Sequence, residues 1–137
     1  MEKNADDNAI ETLVEDAKLL GASDVAVLRS SDIIIEESLA ALCKEGDPPC
    51  ENYGLAPGCP PHVSGPSGFR DLKEQSVAAI LIRIDAPVDV MFSSERREVM
   101  QLLHEIVATI ETKAVEMGFF GSKAFAGGSC EKIFCYD

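Results

Sequence analysis

The sequence predicts an α/β domain: a two-layer sandwich in which a small sheet of three to four strands is packed by two main helices. Three observations predict it. Residues 8–20 and 95–117 repeat apolar side chains at helical spacing, residues 77–84 (VAAILIRI) form a near-continuous apolar run, and the elements alternate as helix, strand, loop, strand, helix, strand. At 137 residues the simplest organisation is a single domain over 1–137, long enough to bury a core.

In the first helix Ile10, Leu13, Val14, Ala17 and Leu20 share a face, Asp6 or Asp7 can cap the start, and Gly21 ends it. Residues 25–29 (VAVLR) read as a strand on their β-branched content. Residues 33–35 (III) read as a second short strand or as the entry to a helical turn reaching Leu42. A short helix over 69–75 leads into the strand at 77–84, whose apolar run implies burial on both faces, as in a central strand flanked by helices. Pro87 stops that strand, and Ser93 or Ser94 opens the long helix. On that helix Val99, Met100, Leu102, Leu103, Ile106, Val107, Ile110, Ala114 and Met117 lie on one arc, opposite Glu98, Gln101, Glu105 and Thr112, and Gly118 terminates it. A final strand at 121–126 completes a strand–helix–strand unit, which implies a parallel pair with a right-handed crossover.

Between these elements lies the stretch 43–69, which holds Cys43, Cys50 and Cys59, six of the seven prolines and five of the ten glycines. Proline lacks the backbone donor and glycine resists ordering, so such a stretch runs neither as helix nor as central strand. A loop of this length in a small domain calls for something to fix it. Thiolates gathered on one metal centre would do so by closing loops that the backbone cannot hold.

Two more cysteines, Cys130 and Cys135, stand in a late motif over 127–135. The spacings are Cys43-x6-Cys50-x8-Cys59 and Cys130-x4-Cys135, none of them the C-x2-C pair of a zinc ribbon or ferredoxin. Context carries more weight. Cys50 sits in DPPCENYG and Cys59 in PGCPP, polar turn-forming surroundings in which burial as a small hydrophobe is not expected. A Cys-Pro step such as Cys59-Pro60 also ends the bacterial ferredoxin run. Gly127, Gly128 and Ser129 let backbone amides approach the sulfur of Cys130. Five thiols exceed the four that a tetrahedral zinc or an iron–sulfur cube requires, with Cys43 and Cys135 the ligands least required by the pattern. Irregular spacing, the Cys-Pro step and the glycine-flanked cysteine favour iron–sulfur, of the four-iron, four-sulfide type. Zinc, and free thiols without metal, remain the alternatives.

The other candidates rank below these. His62 could serve as a nitrogen ligand or stand in solvent, and His104 reads as a surface residue on the edge of the long helix's polar side. Asn52 and Tyr53 read as residues that shape the loop. Gly127-Gly128 is too short for a phosphate-binding fingerprint.

The formal net charge is −12, from 24 acidic against 12 basic residues, which argues against nucleic acid or an anionic membrane as the main partner. Residues 1–10 (MEKNADDNAI) hold no apolar signal core and no window reaches the length of a membrane span. The expected location is therefore cytoplasmic and reducing, where clustered cysteines are ligands or redox groups more often than disulfides.

On Cys43, Cys50-x-x-Tyr53-Gly54, Cys59-Pro60-Pro61 and Gly127-Gly128-Ser129-Cys130 followed by Cys135, the sequence resembles a family of cysteine-rich prokaryotic proteins described as predicted metal-binding proteins. The resemblance covers nearly the whole chain, with the intervening strand and helix in place. It implies metal ligation by the matching cysteines, with an iron–sulfur centre as the expected group, and no established reaction. Members like this one continue past the late motif with further cysteines and an arginine-proline segment, whereas this sequence stops at Asp137, as a shortened or truncated relative would. The expected function is metal binding for electron transfer or within a redox system, with a redox protein as partner. The alternatives are a structural zinc module that binds a basic partner and a thiol enzyme that works without metal.

Overall fold

The structure is a computed structural model that describes residues 4–51, 53–55, 59–127 and 133–134. The chain runs α1 (Ala5–Leu20), β1 (Asp24–Arg29), a 3₁₀ turn (Ser30–Asp32), α2 (Glu37–Glu45), α3 (Gly65–Gln75), β2 (Ala78–Arg83), α4 (Val88–Met91) and α5 (Arg96–Glu116). The α/β class is as the sequence predicts. The strand count is not: among the described residues the sheet has two strands, β1 paired with β2, in place of three to four.

That pair is antiparallel. Ser23 N–H donates to the Arg83 carbonyl at 2.8 Å and Ser30 N–H to the Val77 carbonyl at 3.2 Å, so one strand is read backwards along the other. The predicted parallel pair with a crossover does not form, because residues 122–126 join no ladder. Ser122, Lys123 and the alanines there have little β preference, and a turn bond from Ser122 N–H to the Phe119 carbonyl bends the chain as it leaves α5. Nor is β2 a central strand. Ile80, Ile82 and Ile84 pack inward while Leu81 between them is 59% exposed, so the apolar run at 77–84 has one packed face.

The chain divides into two compact units: Met1–Val27 with Ile80–Gly127, and Leu28–Ala79 with Gly128–Asp137. The first contains the hydrophobic core. Leu13 and Ala17 of α1 meet Ile106, Ile110 and Ala114 of α5, and Val25, Ile80 and Ile82 of the strands, with Ile84 just after β2, pack against them. The contributing positions recur every four residues on each helix, the row that forms a ridge on a helix surface, and the two alanines let the helices approach. The buried stripe is narrower than the predicted arc, since Leu102 and Met117 remain exposed. Lys113 of α5 and Asp16 of α1 add an ion pair at 3.2 Å.

Helix ends follow local chemistry. Asn4, in place of Asp6 or Asp7, caps α1: its side-chain oxygen accepts from Asp7 N–H at 2.8 Å, and the two aspartates fall in the first turn where they complement the helix dipole. Both long helices end alike. Ala22 N–H reaches back to the Ala17 carbonyl and Phe119 N–H to the Ala114 carbonyl, across Gly21 (φ 124°) and Gly118 (φ 104°), and Ala22 and Phe119 then pack on the core. A methyl on Gly21 would meet Leu102 Cδ2 at an ordinary 3.6 Å, so the cost of Gly21→Ala is the positive φ. We expect a loss of about 1–2 kcal/mol in urea unfolding followed by far-UV circular dichroism; an unchanged midpoint would contradict this cap.

The second unit is built differently. Among its described residues Ser30 and Ile133 are the buried ones, and α2 and α3 bury no residue fully. Ile34, Leu39, Leu42 and Leu55 are exposed. Polar bonds tie its described parts together: Ser30 Oγ to the Ser76 carbonyl, Lys73 Nζ to the Ile33 carbonyl at 2.5 Å, Ser76 Oγ to the Leu72 carbonyl at 2.6 Å, and Arg70 with Glu37 at 2.6 Å. No helix among the described residues is long and apolar enough to cross a membrane.

Candidate metal centre

All three early cysteines lie in the second unit. Cys43 is in the last turn of α2 and half-buried, Cys50 is exposed, and Cys59 is half-buried; all are free thiols. Gly46 ends α2 through a bond from its N–H to the Leu42 carbonyl at 3.0 Å. The chain then doubles back, and Cys50 N–H donates to the Cys43 carbonyl at 3.0 Å. That bond closes an excursion of six residues that includes Asp47-Pro48-Pro49, with the Asp47–Pro48 peptide cis.

Cys50 begins the next turn as well, its carbonyl accepting from Tyr53 N–H at 3.1 Å, so Tyr53 shapes the loop as the sequence suggests. Gly54 follows with φ 78°, a left-handed conformation suited to glycine, and its N–H donates to the Pro60 carbonyl at 2.7 Å. Cys59 opens a third turn, in which its carbonyl accepts from His62 N–H at 3.0 Å. Each early cysteine thus contributes a backbone group to a turn, and the turns join 43 to 50, 50 to 53 and 54 to 60. Glycine and proline supply the unusual backbone angles, and the cysteine-flanking amides supply the bonds.

Both histidines bond a backbone carbonyl. His62 is exposed, one of the two readings that the sequence left open, and its Nε2 lies 3.0 Å from the Gly54 carbonyl; it joins no ligand cluster among the described residues. His104, partly buried on α5, places Nε2 2.8 Å from the Gly127 carbonyl. Sequence periodicity put it correctly at the edge of the polar side, but a bond to a carbonyl 23 residues on leaves no periodic signal.

Cys130 and Cys135 lie outside the described residues, as do Asn52, Gly128 and Ser129. Among the described residues no group of three or more histidine, cysteine, aspartate or glutamate side chains could hold a metal ion. The early loop alone therefore does not present a finished site. A recess of about 470 Å³ in the same unit is lined, among the described residues, by Arg29, Ser30, Ser31, Lys73, Glu74, Ser76 and Val77.

Residues 26–137 match the family described as predicted metal-binding protein (DUF2284). The chain belongs to this family. The match begins in β1 and takes in the cysteine loop, β2, α5 and the late cysteine motif. The resemblance drawn from the sequence therefore holds at family level, and metal binding is the property that the family's description carries. No curated protein and no solved structure matches the chain.

The donor chemistry fits a thiophilic metal. The early loop offers three free thiols on short turns, none of them fully buried. The unit that carries them lacks an apolar core among its described residues, the situation in which small domains recruit a metal for stability.

Proposed function

We propose that this protein holds an iron–sulfur centre with Cys50, Cys59 and Cys130 as ligands, and with the fourth place taken by Cys43 or Cys135. The carrying observation is the second unit itself: each early cysteine lends a backbone group to a turn, and the unit's described residues bury almost nothing apolar. Convergent thiolates would supply the cohesion that side-chain packing does not. The irregular cysteine spacing, Cys59-Pro60 and the glycines before Cys130 favour a cluster over a zinc ion.

An iron–sulfur centre, when bound, supplies one-electron transfer at a potential tuned by hydrogen bonds and exposure. The chain's own part is to hold the sulfurs in a shallow loop where a partner protein can approach. We place its function in electron transfer or within a larger redox system, in the cytoplasm, with a redox protein as partner. The acidic balance of −12 disfavours nucleic acid and anionic membranes as partners.

A second reading rests on the same unit, whose described residues bury almost nothing apolar: a zinc ion that only folds the loop, leaving an acidic module to bind a basic partner. Elemental analysis separates the two. In both, removing the metal should loosen the second unit and leave the α1–α5 core folded. Limited proteolysis is the check: a chelator should bring rapid cleavage within 46–64 while residues 5–20 and 96–116 stay protected. Equal cleavage with and without chelator would reject a folding role for the metal.

A further inference from the structure

We infer that the chain's two histidines are positioning residues for its cysteine segments, each clamping the carbonyl of a glycine close in sequence to a cysteine; this rests on the reading of the cysteines as ligands. The sequence contains two histidines, and both place Nε2 on a glycine carbonyl, His62 on Gly54 at 3.0 Å and His104 on Gly127 at 2.8 Å. A carbonyl oxygen only accepts, so in both pairs the ring nitrogen is the donor and carries its hydrogen on Nε2. That nitrogen is then not a metal ligand, because its lone pair is replaced by the N–H bond.

The two clamps act at the two cysteine regions. At the early one, Gly54 is held at both of its polar groups: its N–H donates to the Pro60 carbonyl and its carbonyl accepts from His62. His62 is itself tied to Cys59, whose carbonyl accepts the His62 backbone N–H. The clamp thereby fixes the turn after Cys50 to the turn that starts at Cys59. Among the described residues nothing lies within 4 Å of the place where a Gly54 side chain would begin, so their packing does not do this work at Gly54.

At the late region the clamp is a rigid helix. His104 stands on α5 two residues before Ile106, which is 1% exposed in the core. Its bond holds Gly127, three residues before Cys130 in the sequence, to that helix. Outer groups that hold a ligand's backbone in place raise metal affinity without touching the metal.

The test uses the full chain as wild type and as the variants His62→Ala, His62→Gln, His104→Ala and His104→Gln. Two rates are measured: metal transfer from the loaded protein to excess chelator, and alkylation of individual thiols in the reduced, metal-free protein, resolved by mass spectrometry. A glutamine amide can donate to the same carbonyl but is a poor metal ligand. The alanine variants should lose metal about three- to tenfold faster, the range of one net hydrogen bond, with Cys59 (for His62) and Cys130 (for His104) alkylated faster by a similar factor. The glutamine variants should stay close to wild type in both. Glutamine variants that lose metal as fast as the alanine ones would overturn the inference and make the histidines ligands. Alanine variants that match wild type in both rates would overturn it too. If wild type takes up no metal, the ligand reading fails, and thiol alkylation alone then decides for or against the clamps.

Discussion

Cys59→Ser should strip the protein of its metal. The thiolate is the ligand, and a serine hydroxyl in its place stays protonated near neutral pH and binds soft metals poorly. Cys59 opens the turn closed by His62 and adjoins Pro60, whose carbonyl receives Gly54 N–H, so its backbone position is set by bonds that the substitution leaves intact. The effect should therefore be chemical, with the α1–α5 core untouched. Losing an outer-shell partner costs about 10–100-fold in metal affinity, so losing a ligand should exceed about 100-fold. Metal content per chain after gel filtration, beside a far-UV spectrum like that of wild type, is the readout. A Cys59→Ser protein with the full metal content would remove this residue from the site and break the link between the loop turns and ligation.

The second large effect belongs to the core. Ile106 is 1% exposed and sits among Leu13, Ala17, Ile110 and Ala114. Ile106→Ala removes methyl groups from a place that two helices hold rigidly, and such truncations cost about 2–5 kcal/mol. Against a typical domain stability of about 5–15 kcal/mol this is a large share. Leu19→Ala, at a side chain 84% exposed on α1, should stay within about 0.5 kcal/mol and serves as the control. Urea unfolding read by far-UV circular dichroism suits a chain without tryptophan. Equal effects of the two substitutions would mean that the α1–α5 contact is not the stabilising centre of the first unit.

What could be read from the sequence was what repeats. Leu13 and Ala17, with Ile106, Ile110 and Ala114, announce their helices because burial imposes a period on the chain, and Gly21 and Gly118 mark both ends. The run at 77–84 misled in a specific way: a strand with apolar residues on both faces resembles a central strand, yet here it pairs on one side with β1 and leaves Leu81 exposed. The expected strand at 121–126 does not form: apart from Phe125 its residues have little β preference, and the chain turns after Phe119. The short helix α4 was missed, since four residues over Val88–Met91 are too few to show a period.

Of the candidate site, residue types and their separations along the chain were legible; backbone bonding was not. That Cys50 would bond to Cys43, or that His62 would reach back to Gly54, depends on loop conformation that no periodicity encodes. Cys130 and Cys135 lie outside the described residues, so their part in the site stands on the sequence pattern.

Iron and acid-labile sulfide analysis of anaerobically purified protein, taken with its visible absorption spectrum, tests the central proposal most directly. The account predicts iron and sulfide in equal amounts, a broad charge-transfer band, and loss of both in Cys59→Ser. A colourless protein with stoichiometric zinc would contradict the iron–sulfur centre, and one that binds no metal at all would contradict ligation by these cysteines.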